Sequence, residues 1–315
     1  IQINHSRKIQ LHSRGLDMPA IRRERMYMVR RLQTNILPLI SKCINWLYPL
    51  GKKISRGSYN QIYACKYDPT LVIRTPLNRV SKEDCEDEWK AQCIVDKLPA
   101  HPNLLRQPLS ASFLRIMGRL PRYAMVLPRM DETLETALNE MPEGAQLSKS
   151  DVSCIMHEVL AGLMHLHRHN YLHLDIKPEN IMIQWNGAPR YQWNDPRVSI
   201  RLIDYGFLAL VGKKDVGRGT KGYIAPEQNS STCTYKTSAD IYSIGVTIAQ
   251  LVLRPSAKSR PFEQWCRKMS KNPLTLRKEL QSKGWSIQEA KVIQQCWLKK
   301  TNTRPMLDTL YTIFT

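Results

Sequence analysis

The 315-residue sequence has little that would indicate a metal-binding, disulfide-rich or membrane-spanning protein. Its eight cysteines are scattered, without a CxxC pair or a His/Cys cluster at the spacing of metal ligands. Reduced thiols are therefore expected, which favours an intracellular protein of the cytoplasm or nucleus. No run of about 18 apolar residues occurs, and the N-terminus has no long apolar segment of a secretory signal, so no membrane span is predicted.

Acidic residues are also scarce. The chain has 27 acidic against 47 basic residues, a formal net charge of +20. Such a charge creates a field that attracts polyanions, and one interpretation is a polyanion or nucleic-acid-associated partner. Because the basic residues are spread along the whole chain, a surface charged for solubility is the other interpretation. Hydrophobic residues at 42% and charged residues at 23% indicate a folded globular chain rather than a disordered one.

The pattern of apolar residues divides the chain into three regions. Residues 1–50 are rich in arginine and form a basic N-terminal extension. Residues from about 51 to 130 contain short strand-like segments such as QIYACKY and TLVIRTP, with one helical stretch at 82–98. Helical patterns dominate from about 131 to 315. The sequence thus predicts an α+β protein in which a small β-rich lobe precedes a larger helical lobe.

An apolar frame surrounds the polar residues of HLDIKPENIM at positions 173–182, and a second aspartate follows in RLIDYGF at 201–207. Phosphoryl transfer requires a carboxylate that orients the attacking hydroxyl, cations that neutralise charge on the equatorial oxygens, and ligands for Mg²⁺. The two stretches supply these residue types. The alternative is a polar loop whose aspartate and lysine have no common role.

From about residue 50 to the C-terminus the sequence resembles the eukaryotic-type Ser/Thr protein kinase superfamily, because several motifs occur in the family's order. The resemblance implies a bilobal protein kinase fold, with an N-lobe at about 51–130 and a C-lobe at about 131–315. It also implies transfer of the γ-phosphoryl group of ATP to Ser/Thr hydroxyls of a protein substrate. In this family's terms Asp175 is the base, Lys177 contacts the γ-phosphate, and the Mg²⁺ ligands are Asn180 and Asp204.

The stretch GTKGYIAPE at 219–227 matches the family's substrate-binding loop. The resemblance implies Ser/Thr specificity from Thr220, a buried ion pair between Glu227 and Arg304, and support of the catalytic-loop backbone by Asp240. Removal of any of the last three residues is expected to loosen the lobe, because an uncompensated buried charge is costly.

The small lobe departs from the family's pattern. ISRGSYNQIY at 54–63 aligns with the Gly-rich loop, but Ser55 and Asn60 replace two glycines and only Gly57 remains. A side chain there can obstruct the approach of backbone N–H groups to phosphate. Arg74, in LVIR, stands where the family has its ATP-anchoring lysine, and its planar fork is not interchangeable with an ammonium group. Lys66 on the preceding strand is the alternative cation.

The acidic partner of Arg74 is also displaced. Alignment of the helical stretch puts Ala91 in the slot of the family's glutamate, and Glu88 lies one turn earlier on roughly the same face. Since arginine is longer than lysine, an Arg74–Glu88 pair is predicted. Leu127 is expected as the gatekeeper of the hinge. The resemblance implies that ATP is bound by Ile54, Gly57, Ile62, Val72, Arg74, Glu88 and Met130.

Two features bear on regulation. The residue before the base is Leu174, where family members that bind an activation-loop phosphate have arginine, and residues 206–219 contain no Ser, Thr or Tyr. Together they predict an active kinase of the non-RD type that needs no activation-loop phosphorylation. The small-lobe departures favour the alternative, a pseudokinase that acts as a scaffold or allosteric partner. The divergent hinge and loops are also similar in style to those of kinases of large DNA viruses.

The segment between residues 181 and 203 is longer than the family's hairpin. It carries Trp185, Tyr191 and Trp193. Such aromatic residues either dock a partner or pack an enlarged hairpin onto the lobe.

Overall fold

The computed structural model of the chain describes residues 48–57, 59–108, 124–142, 144–253 and 262–315. The basic extension expected at residues 1–50 lies outside the described residues up to residue 47. A four-stranded sheet comes first and a mainly helical region follows, which confirms the predicted α+β architecture of two lobes. None of the helices in the described ranges is long and apolar enough to cross a membrane.

The sheet of the small lobe is antiparallel, with its strands in sequence order. In its third strand Leu71 and Ile73 are buried, whereas Val72 and Arg74 point to the opposite face, as the period of two requires. Ile62 pairs with Arg74 across the two central strands. This face meets the large lobe, so the alternation along the third strand places the predicted site residues in the cleft between the lobes. The strands are β1 Leu50–Arg56, β2 Asn60–Cys65, β3 Asp68–Pro76 and β4 Met125–Pro128.

Helix α1, Lys82–Lys97, connects the sheet to the cleft. The hydroxyl of its N-cap Ser81 accepts a hydrogen bond from the Asp84 N–H at 3.0 Å, which fixes where the helix begins. Ala91 is buried in the main hydrophobic core, and the helix packs on the turn at Tyr205–Phe207. Glu88, one turn before Ala91, is therefore the carboxylate that faces the cleft.

The large lobe is built on helices whose apolar faces form one core. The longest described helix begins with a capping box between Ser148 and Asp151. The central helix is buried nearly all round, as its apolar sequence predicts. The helices are α2 Leu134–Asn139, α3 Lys149–Arg168, α4 Thr237–Leu253, α5 Phe262–Lys271, α6 Pro273–Ser282, α7 Ile287–Cys296 and α8 Leu307–Tyr311.

Short strands frame the stretch from residue 173 to 180. It leaves the strand Tyr171–Leu172 and enters the strand Ile181–Gln184. The latter lies between the strands Glu132–Thr133 and Ser199–Leu202 in a three-stranded sheet, and Tyr171–Leu172 pairs with Ala209–Leu210. The register of Ile181 opposite Leu202 brings the end of the first motif beside the start of the second. These strands are β5 Glu132–Thr133, β6 Tyr171–Leu172, β7 Ile181–Gln184, β8 Ser199–Leu202 and β9 Ala209–Leu210.

The enlarged hairpin packs onto the lobe. Trp185 and Trp193 belong to the main core, with ring centroids 4.9 Å apart. The indole N–H of Trp185 donates to Glu132 Oε1 at 2.8 Å, and Arg190 Nε donates to the same oxygen at 2.7 Å. Because the two indoles are buried, the structure favours packing over docking as the role of these aromatic residues.

Candidate active site

The carboxylate of Asp175 is the centre of a buried polar cluster. Its side chain accepts hydrogen bonds at Oδ2 from Asn180 Nδ2 at 2.7 Å and at Oδ1 from Thr220 Oγ1 at 2.6 Å. Lys177 Nζ lies 3.0 Å from Oδ2 and 2.5 Å from Thr220 Oγ1. Asp175 is 3% exposed, so these contacts replace the water that a carboxylate would otherwise bind. The structure thus brings together four residues singled out in the sequence.

Asp240 holds the loop on which Asp175 lies. Its Oδ1 accepts a hydrogen bond from the Leu174 N–H at 2.7 Å, and its Oδ2 accepts one from the His173 N–H at 3.0 Å. His167 Nε2 lies 2.8 Å from Oδ2. Burial alone would raise the pKa of Asp240, but the contact with His167 and the backbone N–H groups keep that pKa below its ordinary value. The fixed charge stabilises Leu174 in the left-handed region, at φ 64°, which a leucine rarely adopts.

Asn180 and Asp204 are the oxygen ligands expected for Mg²⁺. The N–H of Ile203 donates to the Asn180 carbonyl at 3.0 Å, which places Asp204 beside the end of the first motif. Both amide hydrogens of Asn180 are directed at Asp175, so within the described residues its side-chain oxygen Oδ1 keeps its lone pairs for another partner. Asp204 also lies in the left-handed region, at φ 64°, and its side chain is 37% exposed. An amide oxygen and an accessible carboxylate are hard ligands that fit Mg²⁺.

Tyr205, which carries a hydroxyl that phenylalanine would lack, follows Asp204 and is fully buried. Tyr205 is 1% exposed, and its hydroxyl donates to the Leu202 carbonyl at 2.8 Å. Its ring meets the His173 ring at a centroid distance of 5.6 Å. The added oxygen is therefore paired, as a buried hydroxyl must be.

Arg74 reaches the cleft and meets two carboxylates there. Its Nη2 forms an ion pair with Glu88 Oε1, and the same nitrogen lies 3.5 Å from Asp204 Oδ2. Burial raises the pKa of Glu88 by more than the Arg74 guanidinium lowers it, and the Asp204 charge adds to the rise. Lys66, the alternative cation, lies instead at the turn between β2 and β3, with its Nζ 5.6 Å from the Tyr67 ring centroid. The geometry assigns the central cation of the small lobe to Arg74.

Only some of the residues expected around the adenine lie close to one another. Met130 and Leu127 are buried in one small cluster, and Val72 packs against it beside Met182. Ile62 lies opposite Arg74 on the same face of the sheet. Gly57 donates its N–H to the Asn60 carbonyl at 2.9 Å, while Ile54 is 46% exposed on β1. Among the described residues, Val72 and Met130 thus belong to one cluster beside the cleft, whereas Ile54 and Gly57 are not part of that cluster.

Arg304 and Glu227 form the ion pair expected in the large lobe. Nη1 and Nη2 of Arg304 donate to Oε1 and Oε2 of Glu227 at 2.6 and 2.7 Å. Arg304 also donates to the carbonyls of Ser238 at 2.7 Å and Leu298 at 2.8 Å. The guanidinium side chain has no exposed surface, so all of its charge is balanced by these partners.

Two contacting residues were missed in the sequence. His167 supports Asp240, and its position in the last turn of α3 gave a weak signal of proximity to the next loop. With its amide oxygen turned toward Arg74, Asn60 Oδ1 lies 2.6 Å from Nη2 and 3.1 Å from Nε. Asn60 was noted only as a lost glycine, because the register of β2 against β3 had to be known before this contact could be inferred.

The residues present fit both ATP and Mg²⁺. Arg74 is a half-buried cation with N–H donors left at Nη1, Lys177 is a second cation beside Asp175, and Asn180 and Asp204 offer oxygen ligands. No group of three or more metal-ligating His, Cys, Asp or Glu side chains occurs in the described parts of the chain.

The comparison with known proteins agrees with this geometry. The sequence model of the family described as Protein kinase domain matches residues 48–312. The chain is 25% identical over 297 residues to the Nik-related protein kinase of Mus musculus, with 82% of this chain and 19% of that protein covered. It is 25% identical over 275 residues to Misshapen-like kinase 1 of Rattus norvegicus, with 84% and 20% covered.

Cyclin-dependent kinase-like 4 of Mus musculus is 26% identical over 206 residues, with 64% of this chain and 55% of that protein covered. The chain spans about a fifth of the length of the first two relatives. These animal relatives give no support to a likeness with viral kinases. On the extent of the family match, the chain belongs to the protein kinase family as a divergent member.

Proposed function

We propose that this protein is a Ser/Thr protein kinase that transfers the γ-phosphoryl group of ATP to hydroxyl groups of proteins. The observation that carries the proposal is the contact of Asp175 with Lys177, Asn180 and Thr220, since a buried carboxylate so arranged can orient an acceptor hydroxyl. Bound ATP and Mg²⁺ supply the phosphoryl group and neutralise its developing charge. Lys177 fits the γ-phosphate contact, because its ammonium group lies beside the oxygens of the base.

Transfer of labelled γ-phosphate to a mixed Ser/Thr protein substrate in the presence of Mg²⁺ tests this proposal. The matched control is Asp175→Asn, which has nearly the same shape but removes the charge and one acceptor oxygen. We expect transfer by the unmodified chain and its loss in the variant, with little change in ATP affinity, since Asp175 contacts the acceptor rather than the nucleotide. Equal transfer by both proteins would refute the assignment of Asp175 as base.

We infer further that the activation segment needs no phosphorylation. Leu174, in the position of the phosphate-binding arginine, is 2% exposed in the core. The segment after Phe207 is attached by backbone hydrogen bonds from Gly212 N to Tyr235 O at 2.8 Å and from Tyr235 N to Lys213 O at 2.9 Å. Backbone pairing of this kind can order the loop without a phosphate. Phosphatase treatment is expected to leave the transfer rate unchanged, and a several-fold fall traced to a site in residues 206–219 would contradict this inference.

A pseudokinase is the second candidate, because two donors of the small lobe that would face phosphate already have partners within the protein. The Gly57 N–H is bonded to the Asn60 carbonyl, and Arg74 Nη2 is bonded to a carboxylate. Neither group is then available to phosphate without rearrangement. Absence of transfer by the unmodified chain, together with ATP affinity no better than millimolar, would favour this candidate over the kinase.

The cleft also supports a preference for basic protein substrates. In the acidic run at residues 131–135, Asp131 accepts the Trp185 N–H at 2.7 Å and Glu132 is paired with Arg190. Burial raises the pKa of Glu135, and the neighbouring Glu179 carboxylate raises it further. Two carboxylates that repel each other in this way gain from a cation between them. We therefore infer that Glu135 and Glu179 contact a basic residue of the substrate.

The remaining charge supports a second kind of partner. Since the chain has a net charge of +20, we infer that it binds a polyanion such as nucleic acid outside the cleft, in the cytoplasm or nucleus. A steep loss of affinity for a random oligonucleotide between low and physiological salt is expected. Affinity that does not depend on salt would contradict this inference.

A further inference from the structure

Asn60 lies where it can control the orientation of Arg74. In the pairing of β2 with β3, Ile62 is opposite Arg74 and Asn60 is opposite Pro76, so Asn60 is the diagonal neighbour of Arg74 on one face. A diagonal pair of this kind is within reach of a long side chain. With its amide oxygen turned toward Arg74, the orientation in which both partners are satisfied, Asn60 Oδ1 lies 2.6 Å from Nη2 and 3.1 Å from Nε of the guanidinium.

These contacts involve the Nε–Nη2 edge of the guanidinium and leave Nη1 without an acceptor among the described residues. Nε and Nη2 form an edge with parallel N–H groups, and Asn60 accepts from both nitrogens. Nη2 also meets Glu88 and Asp204. Within the described ranges no residue accepts a hydrogen bond from Nη1, which keeps two N–H donors. A guanidinium bound along one edge therefore holds the two N–H donors of Nη1 in a fixed direction.

We propose that Asn60 is a positioning residue that clamps the Nε–Nη2 edge of Arg74 and thereby presents Nη1 to a phosphate group of ATP. Asn60 and Arg74 then form a matched pair in the places of the glycine and lysine of the family pattern. This inference rests on the proposed function, since it requires that the cleft binds ATP.

The clamp explains why each of the two substitutions needs the other. Without the amide, the guanidinium is held only at Nη2 and can rotate about that contact, so Nη1 loses its fixed direction. With lysine at position 74, the ammonium has no planar edge for the amide to clamp, and it acts as a point charge. An effect of Asn60 on ATP binding is therefore expected only when arginine is present at position 74.

The test is a double-mutant cycle on nucleotide binding. Asn60→Ala, Arg74→Lys and the double variant are compared with the unmodified chain by displacement of a fluorescent ATP analogue, with Mg-ATP and with adenosine as competitors. We expect Asn60→Ala to weaken Mg-ATP binding about tenfold, because the lost hydrogen bonds involve a charged group. In the Arg74→Lys background the same change is expected to alter the affinity less than about twofold. Adenosine has no phosphate, so its affinity should be the same in all four proteins.

Gln61→Ala is the matched control, since Gln61 is on the same strand but points to the opposite face, where the Tyr63 hydroxyl donates to it at 3.2 Å. Equal losses of ATP and adenosine affinity in Asn60→Ala would mean that Asn60 only stabilises the lobe and would overturn the inference. Equal effects of Asn60→Ala in the two backgrounds would also overturn it, with the kinase proposal intact. If the unmodified chain bound adenosine but not ATP, or neither, the proposed function itself would fail and the positioning role with it.

Discussion

Asp240→Asn is the change for which the structure gives the clearest expectation. The carboxylate is fully buried and accepts hydrogen bonds from the His173 and Leu174 N–H groups, while His167 contacts the same oxygen as His173. In asparagine one of the two oxygens becomes an NH₂ group, so at least one buried donor faces another donor. Disruption of a buried charged network typically costs about 3–5 kcal/mol.

A loss of this size is measurable by thermal and urea unfolding. At about 2 °C per kcal/mol for a domain of this size, the Tm is expected to fall by about 6–10 °C. The transfer rate should fall as well, because Asp240 holds the loop that carries Asp175. Ser243→Ala is the matched control on the same helix, since the Ser243 hydroxyl donates to the Tyr223 carbonyl at 2.8 Å. Loss of that neutral hydrogen bond is expected to cost about 1 kcal/mol.

Acid titration adds a second check of Asp240. The pKa of its carboxyl is lower in the folded than in the unfolded protein, so its contribution to stability is complete above the ordinary aspartate pKa of about 4. This contribution disappears as the pH falls through the folded-state pKa. The difference in unfolding free energy between the unmodified chain and Asp240→Asn should therefore shrink in acid. A Tm within 2 °C of the unmodified chain, or a difference that grows in acid, would refute the role of the buried charge.

Three further changes test other parts of the structure. Arg304→Met should cost about 3–5 kcal/mol in urea unfolding, because the Glu227 carboxylate is left without its partner; a cost below about 1 kcal/mol would contradict the pairing. Leu174→Arg should lower the Tm by several degrees without creating a dependence on phosphorylation, since it puts a charge in a site only 2% exposed; an activity that phosphatase then removes would contradict the inference that no phosphate binds beside this position. The double change Glu135→Gln and Glu179→Gln should raise the KM for basic peptides about tenfold and leave neutral peptides unchanged, whereas an equal rise for both peptides would exclude a charge contact.

The part of the site that could be predicted from sequence consists of residues so close in the chain that their sequence separation determines the distance between their side chains. Asp175 and Asn180 are five positions apart in one loop, so their hydrogen bond follows once that loop is identified. The β-hairpin that separates Asn180 from Asp204 was also predictable, because apolar and more polar residues alternate within its strands. The α+β order of elements followed for the same reason, since each lobe has its own period of apolar residues.

The contacts that could not be predicted join distant parts of the chain through a register or a helix rotation. Arg74 meets Asp204 across 130 positions, and only the packing of α1 on the turn after Asp204 makes them neighbours. The Arg74–Glu88 pair, in contrast, was predicted from the length of arginine and from the position of Glu88 one turn before Ala91. Asn60 was the most difficult case, because a shift of β2 by one residue would have turned its amide to the other face.

The electrostatics of the cleft explain why the side chain at position 60 is neutral, and they restrict which residues can replace Asn60. Glu88 and Asp204 already place two carboxylates beside the single charge of Arg74, and the Mg²⁺-binding role proposed for Asp204 uses its negative charge. Aspartate at position 60 would clamp the guanidinium at least as well, but it would add a third negative charge close to the phosphates. Two like charges at about 4 Å repel by about 4 kcal/mol at an effective dielectric constant of about 20, more than a charged hydrogen bond contributes. A neutral acceptor is therefore the side chain that can orient the arginine without weakening its hold on ATP.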